Sequence, residues 1–301
     1  MSTMNWRIGD VKITRIQELY AERTPDFGYI GMTTEDILRE SWLKPHFATE
    51  DGKLKTCIQA FIVEAGGKRI MVDTCVGNDK PRGNPVWNML QGPFLDDLRA
   101  AGFPPESIDI VLCTHLHIDH VGWNTVLVDG KWVPTFPNAK YLFGRIEWEH
   151  WKQEVTDAIR GDIDAETVEN AFNTKDVNAD SIRPVIEAGL HELIETDHVV
   201  TDEIRLEPTP GHTPGHVSVI IESQGEKAVI TGDLMHHPIQ SALPHVASRF
   251  DHSAEQARQT RRAFMKRHEG NGVLVFGTHF APPTAGHFVA HGDNWRFEVE
   301  D

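Results

Sequence analysis

The chain has 301 residues, 40% of them hydrophobic and 25% charged, and a formal net charge of -16. Such a balance excludes a disordered chain, and the acidic excess excludes a nucleic-acid backbone as partner, because phosphate binding needs clustered Lys and Arg. No apolar run reaches membrane-span length, and Met1 to Arg7 lacks the apolar stretch of a secretory signal. A cytoplasmic protein acting on a small, neutral or cationic molecule is therefore expected. In chain order, a first hairpin is predicted over residues 54–64 and 69–72, turning at Gly66-Gly67 and ending in Asp73. A helix follows at 94–101, then strands at 108–113 and 139–143, then helices at 145–159 and 165–172, where apolar positions recur at three and four. A second hairpin at 216–221 and 228–231 turns near Gly225 and ends in Asp233; a helix at 253–266 and a strand at 272–276 complete the series. Two hairpins that each end in an aspartate read as a weak internal duplication.

Strands and helices alternate, so the expected fold class is α/β with helices covering sheet faces. No linker interrupts the chain, and a single domain spanning 1–301 is expected. Residues 23–49 and 161–187 fit the alternation poorly; they are expected as a rim over the site or as a surface through which a homodimer forms. Cys57, Cys75 and Cys113 are odd in number and contain no CxxC pair, so neither a disulfide framework nor a cysteine zinc site is indicated. The 17 histidines carry the chemistry instead.

Thr114-His115-Leu116-His117-Ile118-Asp119-His120 directly follows the apolar run Ile110-Val111-Leu112-Cys113. A strand end delivers such a loop to one sheet edge, where several side chains converge, and four ligand-type residues within six positions point to a metal. Similar strand ends carry His212, in Thr209-Pro210-Gly211-His212-Thr213-Pro214-Gly215-His216; Asp233; and His279, after Val273-Leu274-Val275-Phe276-Gly277-Thr278. The Pro and Gly residues around His212 suit a tight turn with close backbone approach.

Taken in this order, Asp, HxHxDH, His, Asp and His, these segments resemble the metallo-β-lactamase superfamily. The resemblance implies an αββα sandwich, with two mixed β-sheets between helical layers and the metals at one sheet edge. It also implies that His115, His117 and His212 bind one cation and Asp119, His120 and His279 another. Asp233 would then bridge the pair, with Asp73 and His216 supporting the ligands from behind. Two divalent ions are implied, Zn²⁺ first and Mn, Co or Fe as alternatives, with a bridging hydroxide as nucleophile.

The bridging Asp and the absence of Cys near the motifs set the chain apart from true β-lactamases. Gly232-Asp233-Leu234-Met235-His236, Gly286-His287 and Trp295-Arg296-Phe297 look most like the methyl parathion hydrolase and N-acyl homoserine lactonase branch. Where several lactonases carry Tyr, three residues after the bridging Asp, this chain has His236. His236 is thus a candidate catalytic and substrate-binding donor, and Trp123 and Phe94 are candidate substrate-wall residues. The implied reaction is cleavage of a neutral, apolar ester or lactone, with phosphotriesters as a side activity. A glyoxalase-II-like thioesterase is one alternative, and an iron-dependent oxygenase or redox protein is another.

Overall fold

The computed structural model describes residues 3–160 and 174–299; the expected helix at 165–172 lies outside the described residues. The chain divides into two compact units, one of Met1–Arg7, Val11–Glu18 and Gln59–Thr196, the other of Ile8–Asp10, Leu19–Ile58 and Asp197–Asp301.

The first unit is organised on a seven-stranded sheet built from β1 (Met4–Ile8), β2 (Val11–Arg23), β4 (Leu54–Ala65), β5 (Lys68–Val72), β6 (Ile110–Leu112), β9 (Lys140–Gly144) and β10 (His191–Ile194), hydrogen-bonded in that order. The later residues of β2 and the earlier ones of β4 are counted with the second unit. A small separate hairpin pairs β7 (Thr125–Val128) with β8 (Lys131–Pro134). β4 and β5 form the predicted antiparallel hairpin, and β5, β6, β9 and β10 then run parallel. Apolar residues of the parallel strands, among them Ile70, Val72, Val111 and Phe143, are fully buried, as parallel strands covered on both faces require. Helices Phe94–Ala100 and Arg145–Arg160 stand where the 3.6-residue period places them.

In the second unit, β11 (Ile204–Pro208), β12 (Val217–Ser223), β13 (Glu226–Ile230), β15 (Leu274–Phe276), β16 (Ala285–His291) and β17 (Asn294–Glu298) form a six-stranded mixed sheet in that order. β3 (Tyr29–Ile30) pairs with β14 (Ala247–Ser248) beside it in the same unit. Helix Ala254–His268 begins at Ser253, whose hydroxyl accepts the Gln256 N–H and so caps the first turn. The internal duplication is legible in the connections. β4, β5 and β6 run antiparallel then parallel, and β12, β13 and β15 do the same.

Residues 23–49, expected as a rim or interface, supply part of the second unit's core. Leu43 and Phe47 are buried, and the Phe47 ring meets the edges of Phe280 and Phe297 at 6.3 and 6.0 Å. Phe27, Ile30 and Leu38 of the same segment remain exposed. The described part of 161–187 is helical, and there Asp180 is buried against Arg82, which it binds through both carboxylate oxygens at 2.6 and 3.0 Å. All three cysteines are buried, and none is joined in a disulfide. Among the described residues no helix is long and apolar enough to cross a membrane.

Candidate metal centre

Each unit brings imidazoles and carboxylates to the carboxyl ends of its parallel strands. In the first unit Val72 of β5 lies opposite Leu112 of β6, so Asp73 and the loop 113–120 leave the sheet side by side. In the second, Ile230 of β13 lies opposite Phe276 of β15, which sets the segment bearing Asp233 beside the one bearing His279. The turn bearing His212 joins β11 to β12, where Pro208 pairs with Val217. Gly211, at φ +137°, permits that turn: a Cβ there would lie 2.4 Å from the Ala257 nitrogen, so the loop meets the helix backbone directly.

In the first unit His115, His117 and His120 are buried and Asp119 is partly exposed. Asp73 Oδ1 accepts the Thr114 N–H at 2.8 Å, and Oδ2 accepts the Thr114 hydroxyl at 2.9 Å and lies 2.9 Å from His120 Nδ1. A carboxylate only accepts, so His120 Nδ1 carries the ring hydrogen and Nε2 presents a lone pair. Thr114 has given its one hydroxyl hydrogen to Asp73, so its oxygen accepts from His115 Nδ1 at 3.1 Å, and His115 Nε2 is likewise bare of hydrogen. Asp73 therefore holds His120 directly and His115 through Thr114, and sets the tautomer of both rings.

Two buried glutamates that the sequence reading did not single out hold the same loop. Glu147 Oε2 accepts the Leu116 N–H at 3.3 Å and the Trp151 indole N–H at 2.9 Å, and Trp151 packs edge-on against His117 at 5.2 Å. Glu18 Oε1 accepts the Trp123 indole N–H at 2.6 Å and the Gly77 N–H at 3.0 Å, while Oε2 accepts the Val76 N–H at 2.8 Å. Burial pushes the Glu18 carboxyl up to about 7, against the pull of these three donors. Trp123 stacks on Phe94 with ring centroids 5.6 Å apart, and both rings are buried within the unit.

In the second unit three imidazoles converge on one carboxylate. His279 Nε2 is 3.0 Å from Asp233 Oδ1, and His212 Nε2 and His236 Nε2 are each 3.3 Å from Oδ2. His279 Nδ1 lies 2.9 Å from the Cys57 carbonyl oxygen and His212 Nδ1 3.0 Å from Asp251 Oδ1. Both partners accept only, so each ring donates from Nδ1; Nε2 faces the oxygens of Asp233, with His279 Nε2 also 3.2 Å from Oδ2, and in the neutral ring it presents a lone pair to them. Acceptor facing acceptor is repulsive unless a positive charge lies among them. A proton on Nε2 or a divalent cation supplies that charge, and a set of imidazoles and carboxylates with their far nitrogens anchored is the donor chemistry a divalent cation takes.

His216 supports the loops, accepting the Asp233 N–H on Nε2 at 2.8 Å and turning Nδ1 to the Thr209 hydroxyl at 2.8 Å. His236 lies among the ligand-type groups: one ring atom each of His212 and His236 and one oxygen of Asp251 fall within 4.8 Å of one another. Its ring stacks parallel to that of His279 at 5.7 Å, and neither ring nitrogen makes a hydrogen bond. Asp251 was not visible in the sequence, since it sits in a loop with no motif. Burial pushes its carboxyl above the usual range, against the charges of His236 and Arg261.

Comparison with known proteins agrees with this chemistry. The family model described as the metallo-beta-lactamase superfamily matches residues 58–292, and the chain belongs to that superfamily and has its fold. Among curated relatives, an N-acyl homoserine lactonase of Rhizobium radiobacter is 27% identical over 228 residues, covering 69% of this chain and 74% of the relative. One from Bacillus thuringiensis is 24% identical over 196 residues, covering 61% of this chain and 66% of the relative. The match to another, from Bacillus sp., is 26% identical and covers 44% of this chain and only 40% of the relative. Among solved structures, the hydrolase AbOPH of the beta-lactamase superfamily superposes with a TM-score of 0.79 at 25% identity, covering 99% of this chain and 98% of that one. The dizinc quorum-quenching lactonase AidC, with a homoserine product bound, gives 0.77 at 19% identity over 99% and 97% of the two chains.

Proposed function

We propose that this chain is a hydrolase of neutral, apolar esters or lactones that works with two divalent cations, Zn²⁺ first among them. The observation that carries the reading is the set of lone pairs on His115, His120, His212 and His279, fixed by hydrogen bonds to their far nitrogens and, in the second unit, turned toward a carboxylate. Of the ligand residues, His115, His117 and His212 would hold one cation, Asp119, His120 and His279 the other, and Asp233 both. When bound, such a pair supplies Lewis acidity and an acidified water.

The chain's own residues supply the rest. Asp73, Asp251 and the Cys57 carbonyl keep the ring hydrogens away from the cation side, so the ligands need no reorganisation on binding. His236, with no hydrogen bond on either ring nitrogen, is the group available to give a proton to the leaving alkoxide. The formal charge of -16 disfavours polyanionic substrates, and the relatives named as N-acyl homoserine lactonases support a lactone or ester.

The test is a panel of a lactone, a carboxylic ester, a thioester and a phosphotriester offered to zinc-loaded protein. Turnover of the lactone or the carboxylic ester above the thioester is expected. Turnover of the thioester alone would make the chain a thioesterase, and turnover of none, with iron bound, would move it to redox chemistry.

A further inference from the structure

We propose that Glu18 is a positioning residue for the metal loop, acting through the strap of backbone at Thr74 to Gly77. The inference rests on the reading above only in taking His120 as a ligand. After β5 the chain turns through two left-handed residues, Asp73 at φ 58°, which an aspartate tolerates, and Cys75 at φ 51°, a conformation a cysteine rarely holds. The strained strap is laced to the end of the HxHxDH segment by main-chain bonds. Thr74 N–H donates to the His120 carbonyl at 2.8 Å, Gly122 N–H to the Cys75 carbonyl at 2.7 Å and Trp123 N–H to the Thr74 carbonyl at 2.7 Å.

The approach is so close that a Cβ on Gly122 would lie 1.8 Å from the Val76 oxygen. What holds the outer end of the strap is Glu18, reaching from β2 to accept Val76 N–H, Gly77 N–H and the Trp123 indole N–H. One buried carboxylate thus fixes both partners of the lacing, the strap directly and residues 120–123 through the indole. The donors demand a carboxylate. A glutamine in that place must turn its NH₂ toward at least one of three N–H groups, whichever way the amide lies.

Two measurements test the proposal. The first compares zinc affinity of Glu18→Gln with the unchanged protein by chelator competition. The expected result is a loss of about tenfold in one of the two binding steps, the scale found for groups that orient ligands from behind, with the other step unchanged. Equal affinities in the two proteins would overturn it. The second uses the unaltered chain, so it stands even if the variant does not fold. Coupling is reciprocal, so zinc must stabilise whatever stabilises its ligand loop. Hydrogen exchange of the Val76 and Gly77 amides and the Trp123 indole, the last assigned from its absence in Trp123→Phe, should slow together on zinc loading. Exchange at these three protons that is indifferent to zinc would overturn the proposal. A chain that binds fewer than two zinc ions while the three protons still respond would sink the two-cation reading instead.

Discussion

Replacing Asp73 by asparagine tests how the proposed ligand histidines are set. Asp73 receives the Thr114 N–H, the Thr114 hydroxyl and the His120 Nδ1 hydrogen, all within 2.9 Å of its two oxygens. Asparagine keeps the shape with one accepting oxygen and one donating NH₂. If the oxygen stays with the Thr114 N–H, the NH₂ faces His120 Nδ1, and the ring can answer only by moving its hydrogen to Nε2. That nitrogen is the one the cation needs. A wrong tautomer behind a ligand weakens metal binding by about 10- to 100-fold, equivalent to about 1.4 to 2.7 kcal/mol. The metal-free protein also loses a charge-assisted hydrogen bond, about 1.5 to 3 kcal/mol of folding stability. Zinc competition with a chelator reads the first quantity, urea unfolding of the metal-free chain the second, and imidazole ¹⁵N shifts read the tautomer itself. Wild-type affinity with the His120 hydrogen still on Nδ1 would refute the reasoning, since Asp73 would then be doing nothing that its amide cannot.

Asp233→Asn should leave a folded protein whose kcat/KM on the best panel substrate falls by about 100-fold or more, because the carboxylate that three imidazoles face loses its charge; retained activity at full metal content would argue against a bridging role. His236→Phe should lower kcat and kcat/KM together by about 100-fold with KM little changed, the pattern of a proton donor acting in the transition state; unchanged steady-state kinetics would remove His236 from the chemistry. His237 is fully buried, with burial pushing its ring down to about 4 against a hydrogen bond to the Phe47 carbonyl. The unfolded chain then binds the extra proton between about pH 4 and 6.5, so this stabilisation is complete above 6.5 and is lost as pH falls toward 4. Glu18, raised by burial, acts in the opposite sense, losing stability as pH rises from 4.5 to about 7. In urea unfolding at several pH values, the stability of the wild type relative to His237→Gln should grow by about 3 kcal/mol from pH 4 to 6.5; a constant difference would show that His237 does not titrate in that way.

The candidate ligand residues stand out in the sequence because metal chemistry restricts both residue type and spacing, and the strands bearing them are short apolar runs ending in turns. The long strand β2 was not, since Ile13, Ile16, Leu19 and Tyr20 are spaced as well for a helix as for a strand, and only pairing with β4 decides. The residues behind the ligands divide in the same way. Asp73 follows a recognisable hairpin, whereas Glu18, Glu147 and Asp251 reach their partners from positions 58, 31 and 39 residues away along the chain, with no local pattern to mark them. Trp123 was expected in a substrate wall from its nearness to His120, yet its indole is committed to Glu18 and its face to Phe94. Sequence spacing reports that two residues are near, and only packing reports which way a ring is turned. Residues 23–49 look spare in the sequence because their apolar positions follow no single period, and Leu43 and Phe47 are nonetheless core.

The most direct test is to strip the protein of metal and follow lactone or ester hydrolysis while zinc is returned in known equivalents. The rate should climb to a plateau at two zinc ions per chain, with Asp233→Asn failing to reach it at any zinc concentration. A plateau at one equivalent, or full activity restored by a single iron and by no zinc, would contradict the two-cation reading.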